Sequence, residues 1–335
     1  MFLMAFSLNQ GLSQSFGNAS EYLDFVAYEK DDLATEIWRF TTAIPYGRND
    51  INFNSKRQRL LKLLEECITR IKMAQDYANS GFKDEVLSYL QSHRELLQKD
   101  YAKIIDMKAM AEQSYSFMEA YILAQEMAHQ KMEASRQAYE ANLESFANAN
   151  NIEINDDEAK LSEKMKTSNE VFGYYNDLYL IYFKVFINEI HLMDAIEQND
   201  VDAIQLIKDA LNKAAKEGLK ALETQQAYNG DTSIIEATGK AFKFFIEESK
   251  KTIPEITAFL ILNEDFEKFR NTLDQMDERK RTNEQINEYN ERVKEVNAGI
   301  NTFNGITTEL NESREELIDT LNKVYADFFA RHLPN

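Results

Sequence analysis

The sequence predicts an all-α protein: two tandem antiparallel four-helix bundles from an internal duplication, with a projecting helical hairpin in the second copy. Three observations predict it. Only 3 Pro and 10 Gly stand among 335 residues, too few breakers for a chain of many short strands, so long helices are favoured. Apolar residues recur with helical spacing almost unbroken from Ser20 to Leu333. The same order of features occurs twice. Ala43-Ile44 and Ala195-Ile196 each close an aromatic-rich helix, and Asn79-Ser80-Gly81 and Asn229-Gly230-Asp231 are the two clearest turns. Ser135-Arg136 followed by Leu143 then matches Ser313-Arg314 followed by Leu321.

In the first copy, covering residues 20–155, helices are expected over 20–44, 55–79, 82–112 and 115–150. The second of these holds Leu60-Leu61-Lys62-Leu63-Leu64-Glu65-Glu66-Cys67-Ile68, an apolar stripe in which Cys67 reads as a buried, inert thiol. With one cysteine there is no intrachain disulfide framework. A polar stretch from Asn148 to Asp157 separates the copies. The second copy, 156–335, then reads as helices over 158–197, 200–228, 231–277 and 281–331. Short connections make consecutive helices antiparallel neighbours.

Within that copy, Val171 to Met193 is the most apolar run, yet Asp177, Lys184 and Glu189 interrupt it. It therefore reads as a buried bundle helix and not a membrane span. Its aromatic residues Phe172, Tyr174, Tyr175, Tyr179, Tyr182, Phe183 and Phe186 are expected to pack in a core, the alternative being a pocket for a hydrophobic or carbohydrate ligand. Pro254 should kink the third helix, because it lacks a donor and clashes with the turn before it. The later matched features are further apart than the earlier ones by about four heptads. Shared between two antiparallel helices, the insertion lengthens each by about 21 Å. It predicts a hairpin over about 263–293, with its tip at Asp277-Glu278-Arg279-Lys280-Arg281.

The last helix carries the most ordered pattern. Ile286, Tyr289, Val293, Val296, Ile300, Phe303, Thr307, Leu310, Arg314, Leu317, Leu321, Val324 and Phe328 form a 3,4-spaced seam with two polar exceptions. Asn287, Asn290, Asn297, Asn301, Asn304 and Asn311 each follow a seam residue. Asn is a poor helix former, so its density here exceeds what propensity favours. These asparagines, with Asp277, Arg279 and Arg281 at the tip, are the candidate interaction residues. The functional reading is an interhelical ladder or a polar surface offered to a ligand; the default is a solvated flank. The run from Asn283 to Asn304, continued by Leu310-Asn311-x-x-Arg314 and closed by Phe328-Phe329-Ala330-Arg331-His332-Leu333-Pro334, resembles the carboxy-terminal region of a family of uncharacterised helical surface proteins, often lipoproteins, of Bacteroidota and spirochaetes. Tyr175-Asn176-Asp177 is similar to that family's Tyr-Asn-Asp start. The resemblance implies an exported or envelope-associated helical protein. It supplies no catalytic residues.

Composition narrows the function classes. A formal charge of −19 repels phosphate backbones and anionic lipid, which argues against nucleic-acid binding and polybasic membrane attraction. Residues 1–19 carry no charge and open with Met1-Phe2-Leu3-Met4-Ala5-Phe6-Ser7-Leu8, like a truncated signal peptide or an apolar tail. Ser13-Gln14-Ser15 offers a small-x-small cleavage site. The expected location is the periplasm, outer surface or medium, and the cytoplasm if that segment is no signal. No cysteine for lipidation follows the apolar run. Chemistry is not legible. Glu126-Met127-Ala128-His129 has the spacing of half a di-iron site, but no second Glu-x-x-His exists. There is no nucleophile elbow and no phosphate loop. Met107, Met110, Met118, Met127 and Met132 read as gap-filling core residues. The expectation is a non-enzymatic module without cofactor or metal, binding a protein partner or envelope component. The alternatives are a helical, toxin-like membrane-active protein and a bundle with an aromatic-lined pocket.

Overall fold

The computed structural model describes residues 14–41, 50–154 and 156–334. The apolar stretch Met1–Leu8, Ser13 of the small-x-small site and the Ala43-Ile44 pair lie outside the described residues. All regular structure among the described residues is helical: α1 Ala19–Thr41, α2 Asp50–Met73, α3 Phe82–Glu95, α4 Tyr101–Ala111, α5 Tyr115–Ala149, α6 Asp156–Glu197, α7 Val201–Leu222, α8 Ser233–Lys250, α9 Thr252–Asp274 and α10 Asn283–His332. The chain divides into two compact units between Gly173 and Tyr174, within α6.

The first unit is a helical bundle whose core gathers Tyr22, Phe40, Leu64, Leu90, Tyr101 and Phe146. Cys67 lies in that core, where burial pushes its thiol up to about 11 and keeps it unreactive. α2 stops at Met73, short of residue 79, because Lys83 Nζ donates to the carbonyls of Lys72 and Ala74 while Asp76 accepts from Gly81 N and Ser80 Oγ. These bonds satisfy the last turn and begin the next connection. Asn79 and Gly81 take left-handed φ values of 54° and 78° there, a region that glycine and asparagine tolerate.

The third predicted helix is interrupted by a π-turn over Leu96–Asp100. A π-turn frees a carbonyl from the helical ladder. Leu97 O accepts from Arg57 Nη1 at 2.9 Å, so α2 supplies a donor. Among the five methionines expected in the core, Met118 and Met132 are buried, but Met110 and Met127 are exposed. They stand on two helices, Met107 and Met110 on α4 and Met118, Met127 and Met132 on α5, and each helix turns only part of its surface to the core.

In the second unit the break expected at Pro254 separates two helices instead of bending one. α8 ends at Lys250, Lys251 leaves helical geometry at φ −117°, ψ −64°, and α9 begins at Thr252. Pro254 cannot donate to the Lys250 carbonyl, and its ring crowds that group. α7 ends at Leu222, before residue 228, where Thr224 Oγ1 donates to Ala221 O and draws that carbonyl out of the ladder. α7 and α8 meet closely at Gly218. A Cβ there would lie 2.6 Å from the Phe242 ring, so only glycine admits that buried phenylalanine.

Candidate functional site

The second unit holds a polar centre in its apolar interior. Glu189 of α6 is 3% exposed and Glu248 of α8 is 2% exposed. Arg314 of α10 reaches both: its Nε lies 2.5 Å from Glu189 Oε1, and its Nη2 donates to Glu248 Oε1. Three helices are thus tied through one guanidinium. As two carboxylates, the pair would leave Glu189 Oε2 and Glu248 Oε2 without a donor. One proton between them supplies the missing hydrogen bond and balances the single guanidinium charge. Burial raises both carboxyls, and for Glu248 the neighbouring Glu189 adds to it, against the opposing pull of Arg314, carrying Glu248 to about 8. At neutral pH the centre therefore keeps its proton. Next to Glu248, Ser249 Oγ accepts from Asn212 Nδ2 of α7 at 2.7 Å and donates to Ile246 O.

A second tie holds the end of α10. Asp231 Oδ2 accepts from Arg331 Nε at 3.0 Å and Nη2 at 2.7 Å, and lies 2.9 Å from His332 Nε2. Asp231 Oδ1 accepts from Ser233 N. Partial burial pushes the Asp231 carboxyl up, but the bonds from Ser233, His332 and Arg331 outweigh it and hold the group well below the usual carboxylate range. The aromatic residues of α6 close the same region. Tyr174 stacks on Phe328, Tyr175 packs on Phe329, and Tyr182 lies parallel to Phe242. They are packed against α8 and α10.

Beyond these ties α10 continues toward its amino end with α9 beside it. The expected tip is a short 3-10 turn, Glu278–Lys280, between α9 and α10. Asp277 accepts from Arg279 N and pairs with the Arg279 guanidinium at 3.3 Å, while Arg281 lies 3.8 Å from Asp274. Asp277 and Arg279 are exposed and Arg281 is half-buried. Asn287, Asn290, Asn297, Asn301 and Asn304 are all exposed along α10, so the candidate residues share one arm without converging on a pocket. Further along α10, Glu312, Glu315, Glu316, Asp319, Thr320 and Lys323 border a shallow, open stretch of the helix surface.

No family model, curated protein or solved structure matches this chain. Among the described residues no group of three or more His, Cys, Asp or Glu side chains gathers as metal ligands, and no helix is long and apolar enough to cross a membrane. His129, the half of a di-iron motif, is half-buried, with burial pushing its imidazole down to about 4. Sequence reasoning met Glu189 only as an interruption of the apolar run Val171 to Met193 and did not single out Glu248. The available signal was Arg314, a charged residue in an apolar seam, which requires buried acidic partners.

Proposed function

We propose that this protein is an exported, non-enzymatic interaction or structural module of the cell envelope, built from two copies of a four-helix bundle, whose α9–α10 hairpin projects as the contact arm. The observation that carries the reading is a mismatch of length. α10 has 50 residues, about 75 Å at 1.5 Å per residue, while α7 has 22 and α8 has 18, about 33 and 27 Å. Over residues 263–293 only Phe266 and Leu273 are buried. The same α10 is held at its other end by Arg314 and Arg331, so the arm is stiff where it leaves the bundle and solvated where it ends.

Duplication draws support from paired details. Asn79 with Gly81 and Asn229 with Gly230 have positive φ in the corresponding turns, and the third helix of each copy is interrupted, at Leu96–Asp100 and at Lys251. Arg136 and Arg314 each hold two carboxylates from a largely buried position, Glu133 with Glu140 and Glu189 with Glu248. The test is deletion of residues 263–293. Circular dichroism should show the remaining helices folded, and capture of envelope components from host extract should be lost. Retained capture refutes the arm as the contact element.

A further inference from the structure

We propose that the arm carries a self-association face, on which the α10 helices of two copies pair end for end about Val293. The proposal rests on the hairpin being a contact element and assigns it one occupant, a second copy of this chain.

Two columns of the α10 seam behave differently along the arm. Tyr289, Val296 and Phe303 turn to α9, with Tyr289 5.7 Å from Phe266 and Phe303 4.7 Å from Phe259, ring to ring. Arg292 covers the Phe269 ring at 4.5 Å, and Gly299 closes on Phe259. Ile286, Val293 and Ile300, one heptad apart, are left on the shoulder of that contact. Ile286 is 45% exposed, Ile300 is 38% exposed and Val293 is half-buried. Four residues on from each lie Asn290, Asn297 and Asn304, with Asn283 one heptad earlier, all exposed. Residues four apart share a helix face.

Charge makes this face the one open to a like molecule. Neither column contains an ionisable side chain. On α10 itself the acids of this stretch, Glu284, Glu288, Glu291 and Glu295, recur with 4,3,4 spacing on the opposite side of the helix, while those of α9, Glu264, Asp265, Glu267 and Asp274, lie within ion-pair distance of Lys268, Arg270 or Arg281. Two chains of charge −19 repel wherever carboxylates face each other and approach most easily where none stand. The spacing is also self-complementary. Turning one helix end for end about Val293 brings Ile286 over Ile300, and sets Asn290 near Asn297 and Asn283 near Asn304, each pair offset by one residue, about 1.5 Å along the axis. A two-fold contact needs one patch that matches itself in this way. Each asparagine amide both donates and accepts, so facing pairs satisfy one another.

Area sets the strength. From Asn283 to Asn304 the face is about 33 Å long, and at about 10 Å wide a pair buries about 700 Å² in total. Stable complexes bury about 1,200 Å² or more, so the contact is weak and reversible. Cysteine cross-linking suits such a contact, and Cys67 is buried. Val293→Cys places two thiols on the axis and should give an intermolecular disulfide under mild oxidation, while Glu291→Cys on the acidic edge should not. Sedimentation of the unmodified chain should show association that grows with concentration and with salt, and Asn297→Asp or Val293→Asp should abolish it. A chain that sediments as a monomer throughout, or Glu291→Cys cross-linking as fast as Val293→Cys, overturns the proposal. Loss of envelope capture on deleting the arm is a separate readout, so a monomer that still captures its partner through the arm would remove self-pairing alone.

Discussion

At the scale of single residues, the most informative group is Glu248. Its carboxyl is held near 8 by burial and by Glu189, well above the ordinary value for glutamate. Between the unfolded and folded values the native protein holds a proton that the unfolded chain has released. Unfolding free energy therefore falls as pH rises through that window. The contribution is complete below about pH 4.5 and lost above about pH 8. We expect urea midpoints to drop steadily from pH 5 to pH 8.5, and Glu248→Gln, which keeps the shape and needs no proton, to flatten that slope. An unchanged slope in Glu248→Gln would mean that the proton sits elsewhere. Asp231 has the opposite sign: its depressed carboxyl stabilises above the ordinary aspartate range and is lost in acid. Sequence pattern exposed Arg314 as a polar exception, but which carboxylates it meets is a matter of packing between α6, α8 and α10, which periodicity does not encode.

Among elements, the α9–α10 pair shows how a helix contact is set by one small residue. A Cβ on Gly299 would stand 2.8 Å from the Phe259 ring, which is itself packed on Phe303. Gly305, six residues on, has nothing within 4 Å. Alanine gains about 1 kcal/mol of helix propensity at either site. At Gly299 overpacking costs about 1–3 kcal/mol and reverses the sign. Gly305→Ala should therefore raise the melting temperature and Gly299→Ala lower it, with protease sensitivity appearing at the arm in the second variant only. Equal effects from the two would show that the helices do not approach at Gly299. The extents of α5 and α10 were legible because apolar spacing persists through them, and Pro254 marked an interruption because it cannot continue the ladder, although a kink and not two helices was expected there. The π-turn at Leu96–Asp100 was not legible: no proline or glycine marks it, and its freed carbonyl is met by Arg57 from another helix. The early stops of α2 and α7 likewise depend on Lys83 and Thr224 bonding to carbonyls, a competition that helical periodicity leaves invisible.

Across the whole molecule, the division into two compact units implies two responses to pH. Among the described residues the first unit buries no carboxyl pair of the Glu189–Glu248 kind. Its Arg136 centre is opposite in character: the Arg136 hydrogen bond holds the Glu133 carboxyl below its ordinary value, which outweighs the effect of partial burial. Alkaline destabilisation should therefore fall on the second unit. The chain carries a single tryptophan, Trp38, in the sequence of α1, so tryptophan fluorescence reports on the first unit while far-ultraviolet dichroism reports on both. At pH 6 the two probes should melt close together. At pH 8.5 the dichroism should gain an early transition that fluorescence lacks, and Glu248→Gln should remove it. If Trp38 instead follows the early transition at pH 8.5, the units unfold as one cooperative body, and the proton at the Arg314 centre acts on the entire chain.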